Sequence, residues 1–451
     1  MPALDDFATW EPLLRLMWEA LDTPNGDGKA SGSISKGGWS VPVKRPPMVP
    51  GRAMQVEDMR AEHDAVERVM GALGEPGVIS FVAEFEASGR TVLRLINPTE
   101  AAQPGLSNAA PDELVLVAGS RPEPWRRLPE PNPDAVPAPT ADAALVERTL
   151  RERLPDAIAA TDEEIAAAEA RLGMPLPDEL KAVYRVTRAR WSDFNGDYEA
   201  MTRHADAVRA ELYSLDSLRI ADAASRDAPW QFAATEAAVT RPDSAVQGLP
   251  GSPGWLAFGE NGGGDVYAID LTPGPAGRLG QIIFLSHEEN IGAALVADSL
   301  TDMIVHDAEP VWAQPADGTP EIAYVNVRSI PDVASAAHPD LEVLSLGVWE
   351  AEPTSLAPVF GCPKLRTLSA YPGTLADPLE INRLANLEYL SLPVAYWRVL
   401  LDADAVPRSL LAAGFEGYAD DPLDRVAVAN ELLALFAAGP QITETVVEGV
   451  L

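Results

Sequence analysis

Along the first 128 residues the apolar positions change period several times. Trp10, Leu13, Leu14, Met17, Trp18 and Leu21 recur every three or four residues, the spacing of one helix face. The run stops before Pro24-Asn-Gly-Asp-Gly28, a turn composition. A polar, glycine-rich stretch follows, then a weak strand over residues 39–43. Apolar positions from Val56 to Leu73 predict a second helix, closed by Gly74. Residues 78–85 and 91–96 are β-rich runs on either side of Ala87-Ser-Gly89, which predicts a hairpin, and residues 113–117 predict another strand. These elements describe a small α+β domain over residues 1–128, in which no family pattern is visible.

Residues 129–141 carry a proline at nearly every second position, a composition that favours extended polyproline geometry and predicts a spacer between domains. Helical periodicity resumes at Thr161, where Thr161 and Glu164 stand as the Ser/Thr-x-x-Glu pattern of a capping box. Ile165, Ala168 and Leu172 mark one face, and Gly173 with Pro175 ends the helix. Pro177 suits the opening turn of the next, which presents Leu180, Val183 and Tyr184 together. Residues 255–270 then read as two strands around Asn261-Gly-Gly-Gly264, because Asn-Gly tolerates the positive φ of a tight hairpin. A further strand is predicted over residues 280–285 and a closing helix near residues 296–300, giving a middle domain over residues 142–312.

After residue 320 one frame recurs. The segments beginning at Ile322, Leu341, Leu365, Leu387 and Leu410 are spaced by 19, 24, 22 and 23 positions and share one frame, which Leu341–Leu346 and Leu387–Leu392 fill as Leu-x-x-Leu-x-Leu. Side chains alternate along a strand, so the residues between the leucines share the opposite face. That places Tyr324, Val343, Thr367 and Tyr389 in one column and Asn326, Ser345, Ser369 and Ser391 in the next, with Arg328, Tyr371 and Pro393 beside them. Tyrosines and small polar residues with few charges suit a protein-binding surface. A helix over residues 423–436 is placed to cap the end of residues 320–451.

Charge narrows the classes of partner. With 68 Asp and Glu against 34 Lys and Arg, the formal net charge is −34. Such a field repels nucleic acid and anionic lipid and favours a basic protein. The 47% hydrophobic content is ample for buried cores. No basic leader with an apolar core and no apolar run of membrane-spanning length stands out, so cytoplasm is the default expectation. The single cysteine, Cys362, excludes an internal disulfide framework and any cysteine-clustered metal site. The five histidines form no His-x-x-x-His pattern, and Gly259–Asp265 lacks the lysine and Ser/Thr of a phosphate loop. Residues 22–28 lack the alternate acids and twelfth-position glutamate of a calcium loop. His287-Glu-Glu289 reads as a solvated turn. No catalytic set, cofactor site or metal site is therefore expected.

The Thr161–Glu164 helix start, the Leu176-Pro177 joint, Tyr184, the Asn195-Gly196 loop, the 255–270 hairpin, the 280–285 strand and the closing helix follow one another in an order that resembles the SUKH superfamily. That superfamily includes the yeast cell-wall-assembly regulators of the Smi/Knr type. The Leu-x-x-Leu-x-Leu frame resembles a leucine-rich repeat without its asparagine ladder. The resemblance implies an α+β chain with a SUKH-like mixed domain at its centre, a small α+β N-terminal domain and a short, irregular leucine-rich-repeat-like solenoid at the C-terminus. SUKH-like sequences often carry Asn-Gly-Gly where this chain has Asn195-Gly-Asp197. A longer polar segment, through Arg203 and His204, follows, and the whole is expected as a variable recognition loop on a rigid scaffold. The expected partner-binding residues are thus Asn195, Asp197 and Tyr198 with Tyr324, Asn326, Ser345, Ser369, Tyr371, Tyr389 and Ser391. Many bacterial SUKH proteins are thought to confer immunity by binding a secreted toxin, which implies a non-catalytic protein with a basic toxin domain as partner. The eukaryotic relatives imply instead a regulatory scaffold with several partners. The abundance of arginine over lysine, with much alanine, points to a GC-rich bacterial genome.

Overall fold

The computed structural model of the chain describes residues 3–44, 55–74, 77–97, 99–104, 111–226, 229–306, 308, 320–348, 352–417 and 420–451. The chain divides into two compact units, Met1–Arg121 with Ala323–Leu451, and Pro122–Ile322. The sequence-based end of the middle domain, at residue 312, lies outside the described residues.

In the first unit, α1 (Phe7–Glu19) begins where the Asp6 carboxylate accepts a hydrogen bond from the Ala8 amide at 3.0 Å, and it buries Trp10, Leu13, Leu14 and Met17. The next strand, β1 (Gly28–Ser35), pairs antiparallel with β2 (Gly38–Ser40), which is shorter than the predicted 39–43 strand. A 3₁₀ turn over Val56–Met59 leads into α2 (Arg60–Met70), which buries Ala65, Val66 and Val69. The predicted hairpin is β3 (Val78–Phe85) and β4 (Arg90–Asn97), and β3 also pairs antiparallel with β1. Two further strands, β5 (Ala102–Pro104) and β6 (Pro111–Val115), form an antiparallel pair.

The middle unit packs helices on an antiparallel sheet. Its helices are α3 (Ala143–Arg153), α4 (Asp162–Leu172), α5 (Asp178–Tyr184), α6 (Tyr198–Val208), α7 (Trp230–Ala234) and α8 (Leu300–Val305). Its strands are β7 (Glu211–Leu212), β8 (Arg219–Ile220), β9 (Trp255–Glu260), β10 (Val266–Asp270), β11 (Gln281–Leu285) and β12 (Ala294–Ala297), in the order β12-β11-β10-β9-β7, with β8 also on β9. The capping box forms: the Glu164 amide donates to Thr161 Oγ1 at 3.2 Å, and the Thr161 amide to Glu164 Oε2 at 2.8 Å. Gly173 closes α4 at φ +74°, a conformation that favours glycine. Alternation buries both faces of β9, with Leu256 and Phe258 among Tyr184, Ile269 and Met303, and Trp255 and Ala257 with Ala268 and Ile283. The predicted closing helix starts later than its apolar pattern implied. Ser299 caps α8 by accepting from the Asp302 amide at 3.0 Å, and residues 294–297 form β12 instead.

The proline-rich stretch is tied into this unit and is not a free spacer. The Glu130 amide donates to Gln247 Oε1 and Gln247 Nε2 donates to the Glu130 carbonyl, both at 2.8 Å, while Asn132 Nδ2 donates to the Gly274 carbonyl at 2.8 Å. A side-chain amide has satisfied backbone groups that composition alone assigned to solvent.

The first unit resumes with β13 (Ile322–Val325), α9 (Val333–Ala336), β14 (Val343–Leu346), β15 (Thr367–Ala370), β16 (Tyr389–Leu392), α10 (Val394–Asp402), β17 (Ala412–Phe415), α11 (Pro422–Phe436) and β18 (Thr443–Val450). Strands β14 to β17 run parallel in register, so Leu344, Leu368, Leu390 and Ala413 align on one face and are fully buried. Then the sheet leaves the repeat: β17 pairs antiparallel with β6, Gly414 opposite Glu113, giving the seven-stranded order β13-β14-β15-β16-β17-β6-β5. The second sheet, β18-β4-β3-β1-β2, joins the ends again, with β18 pairing along the whole of β4. The segments read from sequence as separate N- and C-terminal domains therefore share both sheets. Hydrophobic alternation marks a strand but does not name a partner three hundred residues away. The architecture is mixed α/β with three sheets, none closed into a barrel.

Removing residues 443–451 would strip β4 of eight cross-strand pairs. At about 0.5–1.5 kcal/mol per hydrogen bond, against a typical net stability of about 5–15 kcal/mol, the truncation should abolish cooperative unfolding of the first unit. Calorimetry of the truncated chain should then retain only the transition of the middle unit; two intact transitions would contradict the pairing.

Candidate functional site

The loop between α5 and α6 is built as a rigid platform. Arg188 makes a bidentate pair with Asp193, Nε to Oδ2 and Nη2 to Oδ1, both at 2.8 Å. That guanidinium holds the Asp193 carboxyl below the usual carboxylate range. Arg190 reaches Glu164 at 2.9 Å, anchoring the loop to the first turn of α4. Residues Trp191–Phe194 wind into a 3₁₀ turn, then Asn195 and Gly196 take φ +48° and +80° to reverse the chain. Asp197 accepts from the Ala200 amide at 3.0 Å and so starts α6. The predicted recognition residues Asn195 and Asp197 thus shape the loop, and both border a second recess beside it.

What the loop presents is a pair of aromatic rings. Trp191 is 61% exposed and Tyr198 70%, and their centroids lie 6.2 Å apart, edge to face at 76°. They stand over a groove of about 510 Å³ whose walls include Phe194, Met201, His204, Glu211, Tyr213 and Glu260. His204 Nδ1 lies 3.2 Å from Thr187 Oγ1, its ring is edge-on to Phe194 at 4.9 Å, and burial lowers its pKa. In the same lining β7 pairs with β9 so that Glu211 faces Glu260 directly. Tyr213 Oη donates to Glu260 at 3.3 Å, and Arg219 lies 4.9 Å above the Tyr213 ring. The glycine hairpin makes room for this wall. A Cβ on Gly262, already at φ +76°, would sit 2.6 Å from Glu211 Oε1. The turn is held by Asn261 Oδ1, which accepts from the Gly263 amide at 2.8 Å, and by Asn261 Nδ2, which donates to Asp265 at 2.7 Å. The arrangement offers apolar area, ring faces and carboxylates, which are the means of binding.

The residues predicted on the C-terminal sheet fall into two groups. Tyr324 and Tyr371 are exposed, at 45% and 38%, and Asn326, Ser345 and Ser369 keep part of their surface. Tyr389 and Ser391 are buried and belong to an internal polar row instead of an open face. Tyr389 Oη donates to Glu113 at 2.8 Å, and Ser369 and Ser391 donate to Glu416 at 2.8 and 3.1 Å. Val343 and Thr367, in the same column, are buried as well, and β6, a strand from the N-terminal segment that extends the sheet, brings Glu113 opposite Gly414 and within reach of Tyr389. A Cβ there would lie 2.6 Å from Tyr389 Oη and 2.7 Å from Ser391 Oγ, so the glycine admits the row. Burial pushes the Glu113 carboxyl well above the usual carboxylate range, and the Tyr389 hydrogen bond only partly opposes this. Asn195, Asp197 and Tyr198 lie in the other unit, so the ten predicted residues form two separate sets.

Sequence reading missed Met201, Glu211, Tyr213 and Glu260 as groove residues. Glu260 stands in the prominent hairpin, whose glycines raise the question of phosphate chemistry, and nothing in the sequence pairs Glu211 with it. Among the described residues His63, Asp64 and Glu67 form an exposed cluster with ligand atoms within 4.8 Å, on the surface of α2.

A raised folded-state pKa means that the folded chain holds a proton which the unfolded chain has lost. Glu113 therefore contributes stability below its unfolded pKa of about 4.3, and this is lost as pH rises through the folded value. Glu113→Gln mimics the protonated form. Its thermal midpoint should exceed that of the wild type increasingly from pH 5 to pH 8; parallel pH profiles would contradict the burial of an ionisable carboxyl.

Comparison with known proteins matches residues 159–306, from just before α4 to just after α8, with the SMI1 / KNR4 family (SUKH-1). A curated relative is the cell wall biosynthesis/cell cycle regulator smi1 of Schizosaccharomyces pombe, 38% identical over 63 residues. That match spans 14% of this chain and 12% of the yeast protein. No helix among the described residues is long and apolar enough to cross a membrane. The loop, the groove and the glycine hairpin thus all lie within an SMI1/KNR4 (SUKH-1) family domain at residues 159–306.

Proposed function

We propose that this chain is a non-catalytic protein-binding protein, and that its SUKH-1 domain grips a partner through the Trp191–Tyr198 groove. The observation that carries this reading is the exposure of two large rings on a loop fixed by ion pairs and a helix cap. Large aromatics gain roughly 1.5–3 kcal/mol each when buried, and they are the residue types that dominate protein interfaces. The net charge of −34 favours a basic partner and speeds its encounter. A basic toxin domain neutralised by direct binding in the cytoplasm of a bacterium meets these demands, and family membership of the middle domain is compatible with it. The alternative, a regulatory scaffold with several partners, draws support from the exposed Tyr324 and Tyr371 in the other unit, which offer a second face. The Leu-x-x-Leu-x-Leu strands would on either reading act as a leucine-rich-repeat-like support.

The test is calorimetric titration of a purified partner into the wild-type chain and into Trp191→Ala/Tyr198→Ala. Loss of both rings should weaken binding by at least about 2 kcal/mol, with the circular dichroism spectrum unchanged. Equal affinity in a folded double variant would remove the groove from the interface. A gain of product from any small-molecule substrate, abolished by the same variant, would overturn the non-catalytic reading.

A further inference from the structure

The aromatic rings account for part of the groove's lining; Glu211 and Glu260, which line it too, form an electrostatic arrangement of their own. Glu211 and Glu260 sit directly across from each other in the β7–β9 pair. Like charges in that position repel and weaken the pairing. An opposite charge at that position would support the pairing, and none of the ion pairs among the described residues involves either glutamate. The groups facing them are known: Tyr213 gives Glu260 one hydrogen bond, Arg219 is stacked on the Tyr213 ring, and His204 is turned toward Thr187 and Phe194. Glu211 is moreover held in place by local geometry, since the hairpin glycine at position 262 leaves the space its carboxylate occupies. A pair of carboxylates thus lines the same groove as Trp191 and Tyr198.

We propose that this groove takes an arginine or lysine side chain carried on a flexible or extended segment of a basic protein. This inference rests on the protein-binding reading and names its anchor. The methylene stem would lie along Met201 and the exposed rings, and the cationic head would meet Glu211 and Glu260. Long cationic side chains suit such a site because their stems are apolar while their ends are charged. An arginine has the further advantage of stacking on aromatic faces and pairing with a carboxylate in two-point fashion. A cation placed between the two carboxylates would relieve their repulsion, so the glutamates would contribute more to the complex than to the free fold. The same logic separates this site from the chain's general acidity, which attracts cations without placing them.

The probe is a displayed library of random twelve-residue peptides, panned against the full-length chain at low salt, with selected peptides resynthesised and titrated. Peptides that carry an arginine or lysine next to an aromatic or aliphatic residue are expected. Their affinity should fall about five- to tenfold with Glu211→Gln/Glu260→Gln, and the loss should shrink as salt rises. The double glutamine variant should be as stable as the wild type or slightly more so, which a merely structural pair would not show. Peptides that need Trp191 and Tyr198 but show no basic preference and no response to the glutamine variant would overturn the anchor while leaving the groove as a protein-binding site. Absence of any peptide dependent on Trp191 or Tyr198 would overturn both.

Discussion

Two long-range antiparallel pairings hold the first unit together: β17 on β6 and β18 on β4. Each joins a strand from the start of the chain to one from its end, and without them neither sheet is complete. They also decide where the middle unit can arise, since residues 122–322 enter and leave as an insertion between the paired halves. The first pairing has a chemical consequence. It sets Glu113 over Gly414 and against Tyr389, turning what would be an outer face of parallel strands into a buried polar row. Enclosing the carboxyl pushes its pKa upward, the Tyr389 hydroxyl partly opposes this by donating to it, and the missing side chain at position 414 provides the space.

Local structure was legible in the sequence wherever a short-range rule governed it. The Thr161–Glu164 capping box, the Gly173 stop, the hairpin around Asn261-Gly262, and the helix bearing Trp10 and Met17 all formed, because their causes lie within a few residues. The parallel strands at Leu344, Leu368 and Leu390 likewise follow from their spacing. What was not legible depends on distant partners. Residues 443–450 alternate charged, small and apolar side chains so weakly that β18 was not visible, although it completes a sheet. Tyr324 and Tyr389 occupy the same position of the recurring frame, yet one is exposed and the other buried, and the hydrogen-bond partner of Tyr389, Glu113, comes from β6, a strand far away in the sequence. The candidate site was half visible. The Trp191–Tyr198 loop stood out by its aromatic and turn residues, whereas Glu211, a single acid in an acidic chain, gained its meaning only from the residue opposite.

The middle domain combines rigidity with exposed apolar area. Arg188, Arg190 and the Asp197 cap fix the loop before any partner arrives, so binding need not supply the entropy of ordering it. The same economy applies to the glycine hairpin, whose positive-φ residues hold a turn and leave room for Glu211 at once. Preorganised rings and carboxylates line one groove, so a segment bound there would be selected by charge as well as by shape, which uniform surface acidity does not achieve.

The most direct test of this account is site-specific photocrosslinking in the cell that makes the protein, with a photoreactive phenylalanine at position 198 in one experiment and at position 324 in another. The account predicts a dominant adduct from position 198, and mass mapping should place it on a segment of a basic protein that contains arginine or lysine. Efficient adducts from position 324, with none from position 198, would contradict it and move the binding face to the C-terminal sheet.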